Sequence, residues 1–234
     1  MDGVIIVDKP AGWTSHDVVG KMRRIAGTKR IGHLGTLDPI ATGVLPLVIG
    51  NATRLAQFYT ASEKVYEAVV KFGFATDTYD RAGVPTGAPV PVTLDQAWLE
   101  AELSRYVGRI QQVPPVVSAK KVGGVPSYKL ARENKAVELA PVEVEIYEAA
   151  VLDVGVDTAS LRIRCSAGTY VRSIAHELGI ALGCGAHLQE LRRTRSGRFD
   201  LARAVSVDEI KTRDPVDILG KILTLPEVSR MRGA

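Results

Sequence analysis

Short apolar runs of strand length recur along the whole chain, and segments with helical periodicity separate them at irregular intervals. Apolar runs of about four to eight residues between turn signals are typical of strands, whereas a repeat of three and four indicates a helix. Because strands and helices are interspersed without a regular order, the pattern predicts an α+β fold. Its centre is a mixed, largely antiparallel sheet flanked by helices and loops.

Each predicted strand is flanked by turn residues. The predicted strands are Val4–Val7, Val44–Ile49, Val65–Phe74, Val142–Val154, Ser160–Ser166 and Leu188–Arg195. The first helix is expected to start from a cap at Thr14 or Ser15 and to stop at Gly27. The further predicted helices are Ala52–Tyr59, a segment capped by Thr93 that ends near Val107, Val171–Leu182, and a final helix capped by Ser206.

Two stretches lack apolar periodicity. Residues 27–43 are predicted to be a loop. Residues 108–127, rich in proline and glycine, are predicted to be an irregular excursion with a short strand at each end. One or two helical turns are predicted at Tyr128–Glu133.

The positive charge is modest in total but clustered. The formal net charge is +4. One group of lysines and arginines lies between Lys21 and Arg30, and a second between Arg192 and Arg198. Such clusters fit either a nucleic-acid partner or two solvated basic faces.

The two cysteines, Cys165 and Cys184, are far apart, and no Cys/His cluster has the spacing of a zinc site. We therefore expect reduced thiols, no metal and a cytoplasmic protein. The sequence shows no signal peptide and no apolar stretch of bilayer-spanning length.

Asp38 lies in a glycine-rich loop and precedes Pro39. The proline restricts Asp38 to extended conformations, so its carboxylate would point in a defined direction. That geometry suits a nucleophile or a base. It equally suits an Asx turn that caps the next element.

The loop belongs to a longer pattern, GHLGTLDPIATGVLPLVIGNATR, which begins at Gly32. Further matching segments lie at 3–12, 64–66, 118–132, 165–172 and 183–193. In this order and spacing, over about residues 3–210, they resemble the TruB family of tRNA pseudouridine-55 synthases. The resemblance implies the pseudouridine synthase fold.

The resemblance also implies a reaction. The family breaks the N1–C1′ bond of one uridine in the tRNA T loop and rejoins the turned uracil through C5, with no cofactor. Two other classes stay open, a non-catalytic RNA-binding or RNA-folding protein and a hydrolytic nucleobase glycosylase. Release of free uracil would identify the glycosylase.

Residue roles follow from the matched positions. Asp38 is the implied catalytic carboxylate, Arg172 its paired cation, and Tyr66 the candidate base for the C5 proton. The residues implied to hold the flipped uridine or to fill its place in the RNA are His33, Tyr66, Tyr170 and Leu191.

Basic side chains are expected at the RNA backbone: Lys9, Lys64, Lys121, Arg132 and Arg192. For Lys9 and Lys64, bracing the loop is an alternative to contacting phosphates. Residues 113–135 are implied to form a thumb-like insertion that grips the RNA.

The implied partner is the T stem-loop of tRNA, bound by a monomer without guide RNA or a protein partner. We expect residues 1–234 to form one catalytic domain. Relatives often carry a further small RNA-binding domain of the PUA type, which is expected to be absent because too few residues follow Asp208.

Overall fold

The structure of the protein is a computed structural model that describes residues 1–118, 121–122, 125–127 and 139–231. The chain divides into two compact units. Unit one comprises Met1–Tyr66 and Leu191–Ala234, and unit two comprises Glu67–Glu190. The expectation of one catalytic domain stays a prediction.

The first part of unit one carries these elements in chain order: β1 (Gly3–Lys9), α1 (Ser15–Ala26), β2 (Ile31–His33), β3 (Thr42–Ile49), a 3-10 turn (Gly50–Leu55), α2 (Ala56–Thr60) and the start of β4 (Lys64–Phe72). Helix α1 has a complete capping box, in which Thr14 and Asp17 bond each other's backbone N–H groups. Gly27 ends it in a left-handed conformation.

Unit two continues β4 and then carries α3 (Gln96–Ser104), β5 (Gly108–Gln112), β6 (Lys121–Val122), β7 (Val125–Pro126), β8 (Val142–Val154), β9 (Thr158–Cys165), α4 (Val171–Leu182) and the start of β10 (Ala186–Ser196). Strand β8 pairs antiparallel with both β9 and β5. Helix α3 packs on β8 and buries Leu99 and Leu103.

The chain completes unit one with the end of β10, β11 (Phe199–Asp200), a 3-10 turn (Leu201–Arg203), β12 (Val205–Ser206), α5 (Val207–Thr212), α6 (Pro215–Leu219), β13 (Leu223–Thr224) and α7 (Leu225–Arg230). Strand β1 pairs antiparallel with β3 and parallel with β12. Strand β10 joins β3 in parallel, with Arg192 opposite Thr42 and Arg193 opposite Gly43.

The predicted α+β class with a mixed sheet is confirmed. Strand β1, which its apolar run predicted, is buried along almost its whole length. A cluster of buried side chains packs around β1 and β3 in unit one, made of Val4, Ile6, Leu34, Val44, Val48, Ala52, Phe199 and Val228.

Several local predictions were wrong. Strand β2 lies inside the predicted loop 27–43, because Ile31–His33 gains its hydrogen bonds from β3, a partner that no local pattern reveals. Asp95, not Thr93, caps α3 by accepting from the Trp98 N–H. The helix capped by Ser206 is followed by α6 and α7. The predicted turns at Tyr128–Glu133 lie outside the described residues.

In the part of the chain that the structure describes, no helix has the length and apolarity needed to cross a membrane.

Candidate active site

Asp38 stands in the loop between β2 and β3, and the residue before it is anchored to α1. The Ser15 hydroxyl accepts a hydrogen bond from the Leu37 N–H at 2.9 Å and donates one to the Leu37 carbonyl at 3.2 Å. Both residues are buried, and Leu34 is fully buried three positions earlier. The loop is therefore held by the core, while Asp38 itself is half-buried.

The residue after Asp38 is anchored as well. The Pro39 carbonyl accepts from the Gly12 N–H at 2.8 Å and from Lys9 Nζ at 3.5 Å. The Asp38 carbonyl accepts from the Ala41 N–H at 3.0 Å, which closes a tight turn. The backbone on both sides of the carboxylate is thus fixed before any ligand binds.

Arg193 of β10 braces the same loop from within unit one. Its guanidinium donates to the carbonyls of Val44 at 2.8 Å, Gly35 at 3.0 Å and Thr36 at 3.4 Å. A Cβ on Gly43 would lie 2.2 Å from the Arg193 carbonyl oxygen, so only glycine allows this approach. The sequence grouped Arg193 with surface arginines between Arg192 and Arg198. That assignment is wrong, because Arg193 is only 1% exposed.

Lys9 is fully buried beside the Asp38 loop. Its Nζ donates to the carbonyls of Trp13 at 2.6 Å and Pro10 at 3.0 Å. Burial lowers the pKa of Lys9 to about 8, against the opposing attraction of the Asp38 carboxylate. Of the two roles left open for Lys9, these contacts support bracing of the loop.

Lys64, at the start of β4, is likewise buried and bonded to backbone carbonyls. It is 4% exposed, and its Nζ donates to the carbonyl of Ser62 at 2.7 Å. Its contacts likewise support bracing.

His33 lies at the end of β2 and meets His16 of α1 edge to face, with ring centroids 5.6 Å apart. Burial, followed by the charges of His16 and Arg193, lowers the pKa of His33, so its ring is neutral at pH 7. Its Nδ1 is buried without a hydrogen-bond partner among the described residues. A polar ring held in this way is available to a ligand that supplies the missing hydrogen bond.

Tyr66 and Leu191 are each 8% exposed, on β4 and β10 of unit one. Arg192, expected at the RNA backbone, bonds both oxygens of Asp8 at 2.8 and 3.2 Å and donates to Thr42 Oγ1. A cation held in this fork is partly neutralised by Asp8. Its contact with RNA stays a prediction.

In unit two, Arg172 is buried at the start of α4, where it is held on three sides. Its guanidinium donates to the carbonyls of Thr78 and Val117, both at 3.0 Å. It also meets the buried carboxylate of Asp80 at 3.4 Å. The expected ion pair between Arg172 and Asp38 stays a prediction.

Asp80 is a candidate site residue that sequence reasoning missed. Residues 76–87 contain Asp77 and Asp80, and no motif or spacing in the sequence singled out either acid. The other Asp80 oxygen accepts from Thr78 Oγ1 at 2.8 Å and from the Ala82 N–H at 3.0 Å. What marks Asp80 is its burial together with these hydrogen bonds, and neither can be read from residue spacing in the sequence.

Tyr170 directly precedes α4. Its N–H donates to Gln112 Oε1 at 2.7 Å, and its carbonyl accepts from Gln112 Nε2 at 3.0 Å. These two hydrogen bonds join the Tyr170 backbone to the Gln112 side chain. Tyr170 itself is half-buried.

The predicted residues divide between the units. Unit one holds Asp38, Tyr66, His33 and Leu191, and unit two holds Arg172 and Tyr170. The Lys121 backbone belongs to β6, but its side chain lies outside what the structure describes, as does the whole of Arg132. The same holds for most of the expected insertion 113–135 beyond Ser118.

Comparison with known proteins places these features in one family. Residues 23–171 match the family described as "TruB family pseudouridylate synthase (N terminal domain)". Residues 172–215 match "tRNA pseudouridylate synthase B C-terminal domain".

Curated relatives agree with these matches. The tRNA pseudouridine synthase B of Solibacter usitatus is 62% identical, over 91% of this chain and 72% of the relative. That of Geotalea uraniireducens is 46% identical, over 97% of this chain and 73% of the relative.

Among solved structures, the chain resembles one from a Cbf5-Nop10-Gar1 complex, with a TM-score of 0.69 and 31% identity over 89% of this chain. It also resembles one from an H/ACA RNP bound to a substrate RNA containing 2′-deoxyuridine, with a TM-score of 0.66 and 29% identity. The chain spans 54% and 52% of these two solved chains, about half of their length.

Proposed function

Because the chain belongs to the TruB family of pseudouridylate synthases, we propose that it isomerises one uridine of tRNA, at position 55 in the T loop, to pseudouridine. Asp38, Tyr66 and Arg172 carry the reaction. His33, Tyr170 and Leu191, with Tyr66, hold the uridine or fill its place in the loop.

The observation that carries the proposal is the anchoring of Asp38. Ser15 bonds both backbone groups of Leu37, and Gly12 with Lys9 holds the carbonyl of Pro39. A carboxylate that merely capped a turn would not need its two neighbours fixed to separate elements. A carboxylate that reacts gains from such pre-organisation, because its position is not lost to backbone motion.

The proposed chemistry balances without a cofactor. The N1–C1′ bond of uridine breaks, a C5–C1′ bond forms, C5 loses its proton and N1 gains one. The Asp38 carboxylate attacks C1′ or C6, or stabilises an oxocarbenium-like centre. Tyr66, adjacent to the anchored start of β4, is the proposed acceptor of the C5 proton.

Arg172 supplies a buried cation for this chemistry. The geometry of unit two supports the role, since Asp80, Thr78 and Val117 hold the guanidinium in one orientation. Tyr170 offers a ring for stacking on the extruded base, a contact of about 1–3 kcal/mol.

The target uridine must leave the folded T loop to react. The neutral ring of His33 is proposed to fill the space that the base vacates. Next to His16 a groove of about 420 Å³ runs along α1, and it is lined by Gly12, Trp13, His16, Asp17, Gly20, Lys21 and Arg24. The Trp13 ring and the basic side chains of Lys21 and Arg24 suit an RNA strand and its phosphates.

Stand-alone action follows as part of the proposal. We propose that this chain works in the cytoplasm as a monomer and single catalytic domain, on the T arm alone, without guide RNA or a protein partner. The insertion 113–135, with Lys121 and Arg132, is proposed to grip the RNA. The support is resemblance: the curated relatives are named as tRNA enzymes and are more similar to this chain than the solved H/ACA protein.

The test is incubation of the pure protein with transcribed tRNA carrying tritium at uridine C5. We expect tritium release, pseudouridine at position 55 and no free uracil. Asp38→Asn should abolish release, whereas tRNA binding persists because the shape and backbone contacts remain. Asp153→Asn is a matched control, because Asp153 is an exposed acid of β8.

Each opposing result has a distinct meaning. Free uracil would identify a hydrolytic glycosylase, and binding without release would identify a non-catalytic RNA-binding protein. Full activity of Asp38→Asn would remove Asp38 from the mechanism. A requirement for an added RNA would contradict stand-alone action.

A further inference from the structure

Tyr79 has a left-handed backbone conformation, with φ of 62°, and no other non-glycine residue among those described has a positive φ. Bulky side chains rarely adopt this region, and they do so where surrounding contacts impose it. Here the Tyr79 carbonyl accepts from the Leu188 N–H at 2.9 Å, and the Tyr79 N–H donates to Thr76 at 3.2 Å. The loop is therefore held in a conformation that its sequence does not favour.

The Tyr79 ring stacks on His176, with centroids 3.7 Å apart and planes 8° from parallel. Both side chains are half-buried. His176 lies four residues after Arg172 on α4, so the two side chains project from the same face of the helix. The stack thus joins the loop to the helix that carries Arg172.

The residues on either side of Tyr79 both contact the Arg172 guanidinium. The Thr78 carbonyl accepts from Nη1 at 3.0 Å, and the Asp80 carboxylate lies 3.4 Å from the same nitrogen. The bonds of Asp80 to Thr78 and Ala82 set the shape of the loop internally. The stack adds a contact with α4 that does not depend on Arg172.

We propose that the Tyr79–His176 stack is a positioning clamp, which presses the loop 78–80 against α4 and so sets the direction of the Arg172 guanidinium. Tyr79 and His176 are positioning residues that act through Asp80 and Thr78. The inference rests on the proposed role of Arg172 in pseudouridine formation.

The variants separate the ring from the backbone. Tyr79→Asn removes the ring but suits the left-handed conformation, whereas Tyr79→Phe keeps the ring. His176→Ala and His176→Phe form the matching pair on the helix. Tyr147→Ala is the control, because it removes an exposed aromatic ring that lies beside Arg164 on the surface.

Steady-state kinetics with tRNA give the first readout. We expect the two ring-less variants to lose about two- to tenfold in kcat, the range of an aromatic pair, with KM unchanged. The phenylalanine variants should restore kcat, and Tyr147→Ala should match the wild type. In an Asp80→Asn background, Tyr79→Asn should have almost no further effect, because both changes act on the same guanidinium.

A second readout does not depend on activity. The Arg172 Nε–Hε signal in an NMR spectrum should be sharp in the wild type and phenylalanine variants and exchange-broadened in the ring-less ones. The clamp would be overturned if His176→Ala left both kcat and the Arg172 NMR signal unchanged. It would also be overturned if Tyr79→Asn lowered kcat as much in the Asp80→Asn background as in the wild type. Failure of the wild type to modify tRNA would overturn the proposed function, and the NMR signal would still decide the clamp.

Discussion

The Ser15 hydroxyl closes a two-way hydrogen bond with the backbone of Leu37, accepting from its N–H at 2.9 Å and donating to its carbonyl at 3.2 Å. Because Leu37 precedes Asp38, one small side chain at the start of α1 fixes the entry to the proposed catalytic residue. Ser15 is 1% exposed, so water does not replace it.

Ser15→Ala should therefore affect both stability and rate. Loss of the hydroxyl leaves two buried backbone groups unpaired, at a cost of about 1–3 kcal/mol in the free energy of unfolding. We expect kcat to fall by about tenfold or more, because Asp38 loses its fixed position. Urea denaturation and single-turnover kinetics measure the two effects. Ser104→Ala is the control, because the exposed Ser104 hydroxyl donates only to the Ala101 carbonyl of its own helix. It should change neither stability nor kcat. Equal kcat in both variants would contradict the anchoring role.

Asp80→Ala should be more damaging than loss of a surface ion pair. It removes the buried carboxylate that lies 3.4 Å from the Arg172 guanidinium, and breaking a buried ion pair by removing one partner typically costs about 3–5 kcal/mol. Asp80→Asn keeps hydrogen bonds to Thr78 and Ala82 but removes the charge, so kcat should fall, and thermal stability should fall less than in Asp80→Ala. The control is Glu148→Gln, because Glu148 faces Arg164 at 3.5 Å in a solvated pair. If Asp80→Asn retains wild-type kcat, the charge on Asp80 has no part in holding Arg172.

The buried Lys9 predicts a rise in stability at alkaline pH. Its pKa is about 8 in the folded chain, against 10.5 ordinarily. Between these values the unfolded chain holds a proton that the folded chain has lost, so raising the pH favours folding. Relative to Lys9→Met, the wild type should gain free energy of unfolding from pH 8 to 10. Denaturation with urea across that range is the measurement, and parallel curves for the two proteins would refute the shift.

The groove on α1 predicts a salt-dependent contribution to tRNA binding. Arg24→Gln should weaken binding and reduce the slope of log Kd against log salt by about one, as expected for one lost phosphate contact. The rate at saturating tRNA should not change, because Arg24 has no proposed part in the chemical step. Arg213→Gln is a matched control, since Arg213 is a surface arginine already paired with Glu209. An unchanged salt slope for Arg24→Gln would exclude the groove as a phosphate site.

Local chemistry predicted the elements whose signals lie within a few residues. Thr14 with Asp17, and Ser206 with Glu209, form the capping boxes that their spacing indicates. The apolar runs around Ile5 and Leu47 became buried strands, as runs of that length predict. By contrast, β2 was taken for a loop, because its strand character comes from the pairing of Gly32 with Val48.

The sequence by itself determined the α+β class, the family and the identity of Asp38 as the residue to examine, because ordered motifs and short-range periodicity survive in one dimension. Only the tertiary structure decided what holds that residue's loop. Ser15 and Arg193 look like ordinary polar positions in the chain, and for Lys9 the sequence left two roles open. The tertiary structure also decided that the buried Asp80 lies beside Arg172. The physical reason is that burial and hydrogen bonding between distant segments determine these roles, and neither quantity can be read from the neighbours of a residue in sequence.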